Sequence, residues 1–210
     1  MDRFIGSLPF TEDGDLRLCP EYGVAYQHDH SQLVPYDAAY FQKYVQYEGS
    51  EVSNKLNSGR VAFVNKYTLG AVVDVGIGSG EFIKHRHLTW GTDVNPVAKR
   101  WLRENRLWAD ELHSFDGYTF WDVIEHCPTP EDYFQHIKSG GYLFTSIPVF
   151  EDLTRIRESK HYRPGEHLYY LSKLGFIRWM GLHGFALLEV SDFEIKAGRE
   201  EIYSFAFWRV

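Results

Sequence analysis

Ala71-Val72-Val73-Asp74-Val75-Gly76-Ile77-Gly78-Ser79-Gly80-Glu81-Phe82 is the stretch from which the rest of this chain can be read. Its β-branched start predicts a buried strand, closed by the Asp74 carboxylate before three glycines at alternating positions lead into a helix. Glycine there permits unusual backbone angles and lets a ligand come close to the main chain. The helix that follows would aim its unpaired N–H groups at that ligand. The spacing also selects among ligands. A dinucleotide fingerprint needs its third glycine at position 81, where Glu81 stands, and a phosphate loop needs a Gly-Lys-Ser/Thr ending that is missing. A glutamate at the helix start also repels a pyrophosphate, so the segment predicts a nucleoside without phosphates.

Outward from this stretch, strands and helices alternate. A second strand is expected over 88–92, a helix from Pro96, a third strand near Leu107-Trp108-Ala109 and a fourth at Gly117-Tyr118-Thr119-Phe120-Trp121. A helix over 130–138 then precedes Gly140-Gly141 and a fifth strand, Tyr142-Leu143-Phe144-Thr145-Ser146-Ile147. After a helix at 172–183 come strands at 185–190 and 202–208, with no helix expected between them, so they should pair antiparallel. The pattern predicts an α/β fold with a doubly wound, mainly parallel sheet of seven strands and an antiparallel last strand. Residues 1–30 read as irregular, and 35–48 place aromatics at helical spacing, which suits packing. The division expected is an N-terminal extension or lid over 1–58 and a main domain over 59–210.

Composition narrows the function. The 210 residues are 44% hydrophobic, enough for a packed core, and 17% aromatic, which suits a site built on flat rings. A net charge of −7 provides no global field for nucleic acid, so DNA is not expected as a partner. Two distant cysteines, Cys19 and Cys127, cannot form a disulfide framework and suit a reducing cytoplasm. The N-terminus lacks a signal-peptide pattern, and no apolar run is long enough to span a bilayer.

In such a sheet ligands bind beyond the carboxyl ends of the strands. Three groups fall there: Asp74 with its glycine turn, Asp93 in Gly91-Thr92-Asp93-Val94-Asn95-Pro96, and Trp121-Asp122-Val123-Ile124-Glu125-His126. A carboxylate at 93 is suited to accept both hydroxyls of a ribose.

With these three motifs in order, residues 60–210 resemble the class I S-adenosylmethionine (SAM)-dependent methyltransferases. Asp-Val-Gly-Ile-Gly-Ser-Gly resembles their first motif, Gly-Thr-Asp-Val-Asn-Pro the second, and Asp122-Val123-Ile124-Glu125-His126-Cys127-Pro128-Thr129-Pro130 the segment after strand four in one subgroup. The resemblance implies a Rossmann-like fold and SAM as cofactor, with S-adenosylhomocysteine as product. It places Gly76, Gly78 and Gly80 under the methionine portion, Asp93 with Val94 and Asn95 at the ribose, and Trp121 and Asp122 beside the cofactor. Asp74 would meet the methionine ammonium or brace the glycine loop. Asp110 stands where the adenine amino group would be met, in a segment from Asp93 to Phe115 that is shorter than usual.

His126 is the candidate general base, since imidazole titrates near neutral pH; a histidine that merely packs is the alternative. Asp122, Glu125 and His126 also resemble the metal-binding positions of ubiquinone-biosynthesis O-methyltransferases, but they serve equally to cap a helix, and the reading assigns no metal. His161, Tyr162, Arg163 and His167 crowd the segment after strand five and are expected to bind or cover the acceptor, with His161 and His167 as further catalytic candidates. Some relatives begin with a zinc ribbon; here Leu18-Cys19-Pro20-Glu21-Tyr22-Gly23 has one cysteine and reads as a lid without metal.

The expected activity is methyl transfer to oxygen or nitrogen of a small-molecule acceptor. A non-catalytic SAM- or nucleoside-binding regulatory module, or a methyltransferase acting on protein or RNA, is the alternative. A nicotinamide-dependent reductase is disfavoured by Glu81.

Overall fold

A computed structural model describes residues 8–210 apart from 30, 32 and 47; the N-terminal signal pattern therefore lies outside the described residues. A six-stranded sheet forms the centre. It contains β4 (Val72–Val75), β5 (Thr89–Thr92), β6 (Gly117–Trp121), β7 (Tyr142–Pro148), β9 (Phe185–Ser191) and β10 (Ile202–Arg209), in the order β5-β4-β6-β7-β10-β9. The β4–β5, β4–β6 and β6–β7 pairs are parallel, and β10 is antiparallel to both neighbours.

The sheet has six strands rather than the seven expected. At the position of the third predicted strand only one parallel bridge forms, Gly91 to Trp108. Arg106 turns the chain through a left-handed conformation (φ 58°) just before it. Gly91 N–H donates to the Leu107 carbonyl at 2.8 Å, Ala109 N–H returns to Gly91 at 2.9 Å, and the chain then leaves the sheet edge. The segment is too short for a ladder. A four-residue helix, α7 (Phe193–Lys196), also lies between the last two strands, where none was expected.

Alternation along the strands sends side chains to both faces. Val73, Val75, Tyr118, Phe120, Leu143, Phe205 and Phe207 join Phe176, Trp179 and Met180 of α6 (Lys173–Leu182) in the main core. Val72, Phe144 and Ala206 face the other way, onto Phe63 and Val64 of α2 (Glu51–Asn65) and Phe82 of α3 (Glu81–His85). Helices on both faces make this a doubly wound arrangement. The remaining helices are α1 (Ala38–Val45), α4 (Pro96–Glu104) and the short α5 (Glu131–Phe134). Asn95 caps α4, its side chain accepting from Val97 N–H, and Pro96 opens the first turn.

Residues 8–29 are not irregular as expected. They form β1 (Thr11–Asp13), β2 (Leu16–Cys19) and β3 (Val24–Gln27), an antiparallel meander completed by β8 (Tyr169–Leu171). Pro20 and Gly23 belong to the β2–β3 turn: Gly23 has φ 74° and its N–H bonds to the Cys19 carbonyl at 3.0 Å. One face of this small sheet, with Val24, Tyr26, Tyr169 and Leu171, packs on the main core. The other, with Leu16, Leu18, Ala25 and Tyr170, is covered by Phe150, Leu153 and Ile156.

Candidate functional site

The glycine loop follows β4 as a run of left-handed residues, with φ 73° at Gly76, 54° at Gly78 and 77° at Gly80. A β-carbon at Gly76 would lie 2.6 Å from the Val123 side chain, and one at Gly80 would lie 2.9 Å from the Trp101 ring. Only glycine meets both the torsion and the contact at these positions. Glu81 at the head of α3 is buried. Its carboxylate accepts from Gly49 N–H and Ser53 Oγ, tying the start of α2 to the glycine turn.

Asp93 closes the loop from the neighbouring strand. Its Oδ2 accepts Ile77 N–H at 2.9 Å and its Oδ1 accepts Asn95 N–H at 2.7 Å, so the carboxylate braces the glycine turn and keeps further lone pairs for a ligand. Burial pushes its pKa up against those hydrogen bonds. The Asn95 side chain is committed to the α4 cap and to the Asp37 carbonyl at 2.7 Å, while Val94 is exposed. Asp110, also exposed, stands beyond the shortened third-strand segment.

Asp74 is buried at the base of the site. Thr119 Oγ1 donates to its Oδ1 at 2.7 Å. Burial raises its pKa to about 7, outweighing the Thr119 bond and the charge of Arg60. At the end of β6, Trp121 packs edge-on against Phe82 and beneath the Arg60 guanidinium, which is 4.8 Å from the ring centroid. Its indole Nε1 is buried without a hydrogen-bond partner.

Asp122 takes a left-handed φ of 58°, which brings its carboxylate to Arg60 at 3.2 Å and Arg199 at 2.9 Å. Burial alone would raise its pKa, but the two guanidiniums overcome this and hold it at about 2. Glu194, fully buried on α7, pairs with both arginines. Arg60, Glu194 and Arg199 were missed by sequence reasoning. One signal was available: Arg60 lies one turn from Asn57 and from Val64, so it falls on the buried face of its helix.

The three candidate histidines separate into a pair and an outlier. His126 and His167 meet edge to face with ring centroids 4.6 Å apart. His126 Nδ1–H donates to the Glu166 carbonyl at 2.8 Å, which fixes the tautomer and leaves Nε2 with a lone pair. Leu168 N–H donates to the Glu125 carbonyl at 2.7 Å, a second tie between the two segments. Burial lowers the pKa of both imidazoles, that of His167 to about 3, and both are neutral near pH 7. Glu125 beside them is driven well upward by burial and then by the Asp122 charge. His161 instead bonds to the Glu200 carbonyl at 2.9 Å. Tyr162 donates to Asp15 at 2.7 Å, and Arg163 pairs with Glu166 at 3.6 Å.

A doubly wound sheet with a glycine turn, a bracing carboxylate after the next strand and a polar cluster after the central strand defines a Rossmann-like α/β fold. Comparison with known proteins sharpens this. Residues 40–190 match the family described as a methyltransferase domain, and the chain belongs to that family. A possible histamine N-methyltransferase from Thermotoga maritima, described as SAM-dependent, superposes with a TM-score of 0.60 at 15% identity, covering 82% of this chain and 97% of that one. A SAM-dependent methyltransferase from Archaeoglobus fulgidus gives 0.55 at 17% identity, covering 80% and 99%. Magnesium protoporphyrin IX methyltransferase from Synechocystis PCC 6803, solved with bound S-adenosylhomocysteine, gives 0.54 at 17% identity, covering 82% and 95%. No curated protein matches by sequence.

Proposed function

We propose that this chain is a SAM-dependent methyltransferase acting on an oxygen or nitrogen of a small-molecule acceptor. The observation that carries the reading is the glycine loop clamped by Asp93, with Asp74 buried beneath it. The residues present fit the cofactor. A buried carboxylate held near neutrality is stabilised by an ammonium group, and the unpartnered Trp121 Nε1 is a donor awaiting an acceptor. Asp74 would take the methionine ammonium, Gly76, Gly78 and Gly80 would let that portion lie against the backbone, and Asp93 would hold the ribose hydroxyls. Val94 and Asn95 shape the ribose side, while Trp121 and Asp122 border the cofactor opposite them. When bound, SAM supplies an already activated methyl on sulfonium sulfur.

Alignment is then the chain's main contribution. The acceptor's proton is assigned to the Glu125–His126–His167 cluster, where the Nε2 lone pair of His126 is available. His161, turned to the Glu200 carbonyl, is proposed as a secondary contact. The acidic net charge favours a small molecule over RNA. The 1–58 segment is proposed as an acceptor-side extension to the 59–210 domain, although α2 runs unbroken through that boundary. Among the described residues no helix is long and apolar enough to cross a membrane. The free Cys19 and Cys127 suit a cytoplasmic setting.

Titration calorimetry tests the cofactor assignment. SAM and S-adenosylhomocysteine should bind and NADH should not, and Asp93→Ala should weaken both by about 100-fold, the worth of two charge-assisted hydrogen bonds. Equal affinity in the variant would remove Asp93 from the site.

A further inference from the structure

Three side chains carrying ligand-type atoms converge after β6. Ligand-type atoms of Glu125, His126 and His167 all lie within 4.8 Å of one another. Glu125 is 2% exposed and His167 4%, and Glu125 Oε2 and His167 Nδ1 are buried with no hydrogen-bond partner. Buried polar atoms left without partners are destabilising, and a cation that takes their electron pairs, displacing any proton held there, would satisfy both.

We propose that Glu125, His126 and His167 bind a divalent transition-metal cation of the zinc type. The orientation of His126 supports this. Metal-ligating histidines donate their other ring N–H to a carbonyl or carboxylate, and His126 Nδ1 makes that bond to Glu166 at 2.8 Å. The Leu168–Glu125 backbone bond at 2.7 Å fixes the segment carrying His167 against the one carrying Glu125, so the site is organised by main-chain contacts. Asp122 is not a fourth ligand, because Arg60 and Arg199 occupy its carboxylate. The third ligand is therefore His167, 41 residues beyond His126.

Two imidazoles and one carboxylate favour zinc or its neighbours over magnesium, which takes oxygen ligands. Donors about 2.1 Å from a common ion stand about 3–4 Å apart, so the cluster closes by about 1 Å on loading. Three protein ligands leave a coordination position open, the arrangement of a catalytic rather than a structural ion. Cation binding stands independently of the methyltransferase reading; a role for the open position in holding the acceptor heteroatom rests on that reading. In the loaded protein His126 and His167 would hold the ion, which would polarise the acceptor heteroatom so that its proton is released to solvent, and the imidazole base described above would act in the metal-free chain.

The test is titration of the metal-stripped full chain with Co²⁺, followed by visible absorption, then competition with Zn²⁺ and with Mg²⁺. The expected result is one equivalent bound with a tetrahedral-type spectrum, displaced by Zn²⁺ and not by Mg²⁺. Glu125→Gln and His167→Ala should each weaken Co²⁺ binding by about two orders of magnitude, while His161→Ala leaves it unchanged. Thermal unfolding without metal establishes that each variant is folded, and Zn²⁺ should raise the midpoint of the parent and not of the two ligand variants. Absence of saturable binding, or binding undiminished in both folded ligand variants, overturns the proposal. SAM titration of the same preparation separates the two failures, since retained SAM binding without Co²⁺ binding rejects the cation site alone.

Discussion

Asp74 is under opposing demands from stability and ligand binding. Its folded pKa of about 7 lies above the unfolded 3.8, so the native state holds the proton more tightly between those values. Its contribution is fully present below about pH 4 and is lost as pH rises through 7. Asp74→Asn removes that dependence, so denaturant titrations should show the variant gaining on the parent by up to about 1.4 kcal/mol per pH unit across this window. A difference independent of pH would reject the burial argument. Ligand affinity moves the other way. An ammonium on Asp74 requires the carboxylate, so SAM binding to the parent should strengthen from about pH 6 to about pH 8, and Asp74→Asn should bind weakly throughout. His167 has the opposite sign from Asp74: its folded pKa of about 3 lies below the ordinary 6.5, and its contribution disappears as pH falls through that interval. The carboxylates and glycines were legible at this scale because their spacing is local. The pairing of His126 with His167 was not, since it depends on how a distant segment returns to the sheet.

A single buried side chain holds the α3–β5 connection. Leu88 sits there at a positive φ of 52°, and Arg86, 4% exposed, spans the gap beneath it. Its guanidinium donates to the carbonyls of Thr68 and Gly70 at 3.0 Å each and to Asn65 Oδ1 at 2.9 Å. One arginine thereby joins the end of α2, the start of β4 and the start of β5. Arg86→Met keeps the apolar stem and leaves those acceptors unpaired, and should cost about 3 kcal/mol in chemical denaturation. A loss within 0.5 kcal/mol would mean that water replaces the guanidinium. The central strands were readable as elements because buried parallel strands are apolar runs between turn signals. The meander at 11–27 was not, because its strands are only three or four residues long and its β2–β3 turn carries Pro20 and Gly23. The third strand failed for a related reason: Leu107-Trp108-Ala109 is apolar enough for a strand, but Arg106 and the short segment allow only one bridge.

On the scale of the whole molecule, the small sheet couples the N-terminal residues to the candidate site. β8 begins two residues after His167 and pairs with β3, while Phe150, Leu153 and Ile156 close over Leu16 and Leu18. Truncating a fully buried leucine costs about 2–5 kcal/mol, so Leu16→Ala should loosen the β2–β3 meander and the 150–171 segment together. Hydrogen exchange by mass spectrometry should show both losing protection, with β4 and β6 unchanged; loss confined to the meander would mean that the site is held by the large sheet alone. The doubly wound architecture followed from strand–helix alternation, whereas the joining of residue 26 to residue 169 had no local signature. A crystal structure of the full chain grown with S-adenosylhomocysteine would decide whether this fold presents a SAM site. The amino group is expected at Asp74, the homocysteine portion over Gly76 to Gly80 and the ribose hydroxyls on Asp93. A well-ordered glycine loop without ligand at millimolar S-adenosylhomocysteine, or ligand bound away from Asp93, would contradict it.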